Sequence, residues 1–103
     1  MSDISKIDIS KIVEFILQKQ RDAVQRGHLP VWKVVEPEDF PGCYVARMFE
    51  VGGSKVLQPT EVMLRAVGPN DGLKTLRDSF AAAGLQCMPR SAADGTELVE
   101  SWV

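Results

Sequence analysis

The side chains in this sequence that are best suited to covalent chemistry are two cysteines and one histidine, namely Cys43, Cys87 and His28. A reactive thiol needs some exposure and a pKa lowered by a nearby cation or a helix N-terminus. Arg90 follows Cys87 by three positions, but two residues so spaced in a strand point to opposite faces of the sheet. We therefore expect Cys87 and Cys43 to be small buried core residues, the usual environment of an unpaired cysteine.

A thiol-dependent enzyme that uses Cys87 or Cys43 is an alternative, but it needs a base that meets the thiol in space. His28 directly follows Gly27, a natural helix stop, and is expected to be a loop or capping residue. The two cysteines and His28 also lack the fourth ligand and the closely spaced pair that a structural zinc site requires. We predict no metal, no cofactor and no catalytic residue.

The acidic run Glu36-Pro37-Glu38-Asp39 offers carboxylate oxygens that suit a hard cation. Its spacing is not that of an EF-hand loop, so the sequence favours a solvated, turn-rich loop. Gly52-Gly53 is followed by neither the lysine of a phosphate-binding loop nor a helix, and a serine nucleophile motif is absent.

Arginines provide the more specific hypothesis, because Arg47 and Arg65 each interrupt an otherwise apolar strand pattern and Arg90 ends another. If the sheet leaves one face uncovered, Arg47 and Arg65 converge there and bind the carboxylate or phosphate of a small anionic ligand through paired hydrogen bonds. The alternative is a charge ladder on a solvated face with acidic residues of other strands, namely Glu61, Glu97 or Glu100.

The run Leu98–Val103 carries apolar residues on both faces of its predicted strand. Such a strand is either central in its sheet or covered by something else, and a second subunit is one suitable cover. We therefore expect a homodimer whose interface includes Leu98, Glu100 and Trp102.

Two helices are predicted, over about 8–26 and about 70–83. In the first, apolar residues recur at helical spacing from Ile9 to Val24, Asp8 or Ser5 is the N-cap, and Gly27 ends the helix. The second has the stripe Leu73, Leu76, Phe80 and Ala83, and it ends at Gly84.

The rest of the chain reads as short strands joined by hairpins around Gly52-Gly53 and Asp94-Gly95. Residues 31–35, 44–51, 85–88 and 97–103 have strand patterns, and 61–67 fits a strand better than a helical turn. This order predicts an α+β fold, with a mainly antiparallel sheet of about four to five strands and both helices packed on one face.

Composition excludes several classes of function. A chain of 103 residues fits a single domain spanning 1–103, and 45% hydrophobic residues support a packed core. The net charge of −2 is spread evenly, so we expect no nucleic-acid binding, and no run is long and apolar enough to span a membrane.

Two distant cysteines indicate a reducing, cytoplasmic location, with a single disulfide as the alternative. The sequence thus favours a small non-catalytic binding or assembly domain that forms a homo-oligomer.

Overall fold

An antiparallel sheet of five strands carries both helices on one side in the computed structural model, which describes residues 8–53, 55–67, 71–90 and 97–103. The strands lie in the order β3-β2-β1-β5-β4. The predicted α+β fold is confirmed, and each helix bound lies within one residue of its prediction. The elements in chain order are α1 (Ile9–Gln25), β1 (Leu29–Val35), β2 (Cys43–Val51), β3 (Leu57–Val67), α2 (Asp71–Ala82), β4 (Cys87–Pro89) and β5 (Leu98–Trp102).

Both helices end at a glycine in the left-handed region, as the sequence predicts. Gly27 has φ 78° and Gly84 has φ 87°, values that residues with a Cβ rarely adopt. At the first end, the His28 N–H donates to the Ala23 carbonyl at 3.0 Å, and at the second the Leu85 N–H donates to Phe80 at 3.0 Å. These bonds satisfy carbonyls that the helix end leaves without an intrahelical donor, and they turn the chain directly into the sheet.

Residues 61–67 belong to the long strand β3, so the prediction of a strand over a helical turn there is confirmed. The hairpin through Gly52-Gly53 is confirmed, because β2 and β3 pair antiparallel. Proline at position 59 is accommodated because β3 lies at the edge of the sheet and a register shift between Arg47 and Phe49 interrupts the ladder there. Strands β4 and β5 also pair antiparallel, while the predicted turn at Asp94-Gly95 lies outside the described residues.

Aromatic packing holds the helix layer to the sheet. The ring centroid of Phe80, on α2, lies 5.4 Å from that of Trp32 and 5.5 Å from that of Trp102. The buried Trp32 indole donates to Gln20 Oε1 at 3.0 Å, which gives its only polar atom a partner. Small side chains, Ala46 and Ala66, are fully buried on the same side of the sheet.

The closing strand β5 lies inside the sheet, between β1 and β4. Trp102 pairs with Trp32 across β1 and β5, and both are buried beneath the helices. The apolar character of this strand on both faces therefore follows in part from its interior position.

The side of the sheet that faces away from the helices is formed by the alternate residues of each strand. Neither helix covers it, since Trp32, Ala46 and Leu64 point to the helical side from β1, β2 and β3. We call it the open sheet face. Its members include Val31, Lys33, Val35, Val45, Arg47, Phe49, Val51, Leu57, Pro59, Met63, Arg65, Met88, Leu98 and Ser101.

Candidate functional site on the open sheet face

Three cations lie together on the open sheet face. Lys33 pairs directly with Arg47 across β1 and β2. Arg65 pairs with Val45 across β2 and β3, which makes it the diagonal neighbour of Arg47, within reach of long side chains. The sequence-based expectation that Arg47 and Arg65 share one face is met by this register.

Local contacts fix two of these cations. The Arg47 Nε donates to the Thr60 carbonyl at 2.7 Å, and the Thr60 hydroxyl in turn donates to the Met48 carbonyl at 2.7 Å. The Lys33 Nζ lies 5.2 Å from the ring centroid of Phe49, a cation–π distance. The bulge in β3 therefore orients one guanidinium, while an apolar ring supports the ammonium.

None of the residues named as members of the open sheet face is acidic, and Glu61 borders them on β3, next to Val62, whose side chain packs against the core. Within the described part of the chain, Lys33, Arg47 and Arg65 form no ion pair, and the four that are present involve other residues. The charge-ladder alternative names three acids. Glu61 is exposed in the irregular part of β3, the exposed Glu97 carboxylate accepts from the Glu38 N–H at 3.3 Å, and Glu100 is buried on the helical side. The face is thus positively charged and has apolar surroundings.

Arg90 does not join the other two arginines. It follows β4, at the sheet edge opposite β3. Four strand spacings of about 4.8 Å separate these edges, or roughly 19 Å. Sequence reasoning missed Lys33, although its alternation with the apolar Trp32 and Val34 places it on the same face as Arg47 once the strands are paired.

The three residues expected at a dimer interface lie in different environments. Glu100 and Trp102 are buried within the protomer, with 4% and 6% of their surface exposed, because α2 covers them. Leu98 pairs with Val35 and is half-buried on the open sheet face. Only Leu98 therefore remains available to a partner.

Glu100 is the centre of a buried polar cluster. Arg77 Nη2 donates to its Oε1 at 2.8 Å, and the Trp102 indole donates to its Oε2 at 2.8 Å. Burial opposes the charged form, but the bonds from Arg77 and Trp102 outweigh it and hold the pKa of Glu100 below its usual value. This cluster links α2 to β5.

A second cluster joins the end of α1 to β2. The nearly buried Glu50 carboxylate accepts from Arg26 at 2.6 Å and contacts His28 Nδ1 at 2.8 Å. The Arg26 hydrogen bond lowers the pKa of Glu50, and His28 adds to this effect. Gly52 leaves room for the ring, because a Cβ there would lie 2.8 Å from His28 Nε2. His28 is thus a capping residue, as its position after Gly27 predicts, and its pairing with Glu50 is a feature that the sequence did not indicate.

The expectation that both cysteines are buried is wrong. Both are free, Cys43 is half-buried and Cys87 is exposed, because β4 is a strand of three residues at the sheet edge, where little packs against it. Partial desolvation of the thiol, together with the neighbouring Glu100 charge, raises the pKa of Cys87, which disfavours the reactive thiolate. His28 pairs with Glu50 and contacts neither thiol.

Comparison with known proteins identifies no relative: no protein-family model matches the chain, nor does any curated protein or solved structure. Neither helix of the described residues combines the length and apolar composition needed to cross a membrane.

Proposed function

We propose that this protein is a non-catalytic binding or assembly domain that acts through the open sheet face, and that its principal partner is a second copy of the chain. One observation carries the proposal: the face that no helix covers is apolar where a solvated face is normally polar.

Antiparallel sheets packed on one side usually alternate hydrophobic residues toward the core with polar residues toward water. In β2, the outward positions are instead Val45, Phe49 and Val51, with Arg47 as the one charged residue. Val31 and Val35 continue the apolar surface on β1. Apolar side chains thus flank the cross-strand pair of Lys33 and Arg47 on both sides, and an exposed surface that combines apolar and charged residues in this way is typical of one that binds another protein.

The proposal is tested by the oligomeric state of two matched variants. Val45→Lys introduces a charge at a half-buried position of the open sheet face. Val24→Lys introduces the same charge on α1, where the valine is 60% exposed. Sedimentation equilibrium or light scattering after size exclusion, from about 1 µM to about 200 µM, measures the association of each.

We expect the wild type and Val24→Lys to associate alike and Val45→Lys to be monomeric. Circular dichroism confirms that each variant is folded. A wild type that stays monomeric across the range, or a Val45→Lys variant that associates as the wild type does, contradicts the proposal.

A second candidate function is the binding of a small anion by Arg47, Arg65 and Lys33. The diagonal placement of the two arginines and the absence of an acid among the members of the face favour it. Planar guanidinium groups suit carboxylates and phosphates. The Nε of Arg47 is held by Thr60, and its two Nη atoms, which make no hydrogen bond to the described residues, suit such a ligand.

Thermal unfolding in the presence of phosphate or citrate tests this candidate. We expect a rise in Tm that is lost in both Arg47→Ala and Arg65→Ala and retained in Arg90→Ala, which lies at the other sheet edge. Equal shifts in all three variants would show only a general salt effect.

A further inference from the structure

The loop of residues 36–42, between β1 and β2, presents an aromatic ring to solvent. Phe40 is 65% exposed, although phenylalanine is among the residues most often buried. Asp39, directly before it, is also exposed, and Glu38 adds a second carboxylate. We call residues 36–42 the acidic loop.

Hydrogen bonds brace the acidic loop in this form. The Gly42 N–H donates to the Glu36 carboxylate at 2.9 Å. The Phe40 N–H donates to the Pro37 carbonyl at 3.0 Å, and the Cys43 N–H donates to the Phe40 carbonyl at 3.1 Å. An aromatic side chain on a braced loop loses little conformational entropy when a partner buries it. Phe40 is therefore a preformed anchor.

The chemistry of the acidic loop complements that of the open sheet face. The loop combines a ring with carboxylates, and the face combines valines with Lys33, Arg47 and Arg65. Two open sheet faces stacked directly on each other would bring cations toward cations, which opposes association. A contact between loop and face instead pairs opposite charges and buries Phe40.

The position of the loop makes the contact reciprocal. The acidic loop connects β1 and β2 beyond Val35 and Val45, which form the final pair of these two strands. Arg65 on β3 pairs with Val45 and therefore lies at the same end of the sheet. If a two-fold axis lay beyond this end of the sheet, each loop would lie over the other copy's face near Arg65. Symmetric dimers need such self-complementary surfaces, in which one patch contacts another and the reverse.

We propose that the acidic loop of one copy docks on the open sheet face of a second copy, with Phe40 against the valines and Asp39 near Arg65. The inference rests on the proposed function, because it names the segment that occupies the face.

The inference is tested by substitutions that reverse the charge of one residue on the open sheet face or one residue on the acidic loop. Arg65→Glu reverses the face, and Asp39→Lys reverses the loop; each change makes both contacts of a two-fold dimer repulsive. We expect either variant alone to raise the dimer Kd by about tenfold or more. The chain with both changes restores attraction and is expected within about threefold of the wild type.

A mixture of the two single variants gives an independent readout. In a heterodimer of one Arg65→Glu copy and one Asp39→Lys copy, both contacts join opposite charges. We expect mixing to restore dimers that neither variant forms alone, measured by sedimentation or by fluorescence energy transfer between labelled copies. Lys11→Glu and Glu14→Lys, at exposed positions of α1, are the charge controls and should leave the Kd unchanged.

The outcomes separate the two proposals. If Val45→Lys prevents association but Asp39→Lys and Phe40→Ala do not, the open sheet face is an interface and the loop is not its occupant. If Arg65→Glu abolishes the thermal shift with phosphate and leaves association unchanged, the face binds anions and the inference is overturned. A monomeric wild type overturns both proposals, while recovery in the double variant and in the mixture supports both.

Discussion

Arg77 on α2 binds Glu100 on the interior strand β5 through Nε and Nη2, at distances of 2.8 to 3.1 Å. The carboxylate is buried, whereas the Arg77 side chain is 50% exposed. This pair therefore differs from an ordinary surface ion pair, because the buried Glu100 carboxylate is removed from water and depends on the charge and hydrogen bonds of Arg77 to compensate.

Loss of Arg77 should destabilise the protein measurably. We expect Arg77→Ala to lower the free energy of unfolding by about 1–2 kcal/mol, since Glu100 keeps its bond from Trp102 and water screens the site in part. The matched control is Lys74→Ala, which removes an exposed ion pair with Asp78 on the same helix and should cost no more than about 0.5 kcal/mol. Urea unfolding of both variants compares them, and equal losses would contradict the distinction.

Stability should fall in acid because of Glu50 and Glu100. The pKa of each is lower in the folded protein than its ordinary value, and that of an unfolded glutamate is about 4.3. The unfolded chain therefore takes up protons first as the pH falls. The contribution of these groups is fully present above about pH 5 and is lost as the pH falls through and below about 4.

Urea midpoints between about pH 7 and about pH 3 measure this loss. Glu100→Gln removes one of the two shifted carboxylates, so its stability should depend less steeply on acid than that of the wild type. An unchanged slope in Glu100→Gln would show that other groups govern the acid transition.

Helix α2 approaches β3 closely at Gly72 and Ala66, and we expect no room for a methyl group added to Gly72. A Cβ on Gly72 would lie 2.8 Å from the Ala66 Cβ. We expect Gly72→Ala to destabilise by about 1–3 kcal/mol through overpacking, and the double variant with Ala66→Gly to recover part of that loss. Gly53→Ala, where no atom lies within 4 Å of the new Cβ, should be close to neutral. Thermal and urea unfolding decide whether the two glycines differ.

Cys87 should react slowly with thiol reagents near pH 7, although it is exposed. Partial desolvation of the thiol and the nearby Glu100 charge raise the pKa of Cys87, which lowers the thiolate fraction. In a Cys43→Ser background, Glu100→Gln should increase the rate of labelling by about threefold or more and move its pH profile to lower pH. A rapid reaction in the wild type would revive the hypothesis of a thiol-dependent enzyme.

Local signals in the sequence sufficed for the elements of this fold. Gly27 and Gly84 mark the helix ends because a left-handed residue is needed there. Gly52-Gly53 marks the first hairpin, and the alternation in β2 correctly separates Val45 and Arg47 from Ala46 and Met48.

The sequence does not reveal which of these two sets the helices cover. The valine and phenylalanine side of β2 has the composition of a core, yet the helices cover the side with Ala46, Met48 and Glu50. The helical side is fixed by the rings of Phe80 and Trp102, which pack on each other, and by Arg26 and His28, which pair with Glu50. These contacts join residues far apart in sequence, so no local pattern encodes them.

The candidate site was predictable only in part, for the same reason. The sequence predicts Arg47 and Arg65 as site residues because each places a charge in an otherwise apolar strand. Their neighbour Lys33 and the exclusion of Arg90 both follow from the strand order, which local periodicity does not specify.

The interior position of β5 has a consequence for how the chain folds. Trp102 pairs with Trp32, and β4 joins the sheet only through β5. Strands β1, β2 and β3 can pair in sequence through hairpins, but β4 joins the sheet only once β5, which follows it in the chain, has paired with β1. Such long-range closure slows folding. During synthesis, the edge of β1 that pairs with β5 stays open until α2, β4 and β5 have been made.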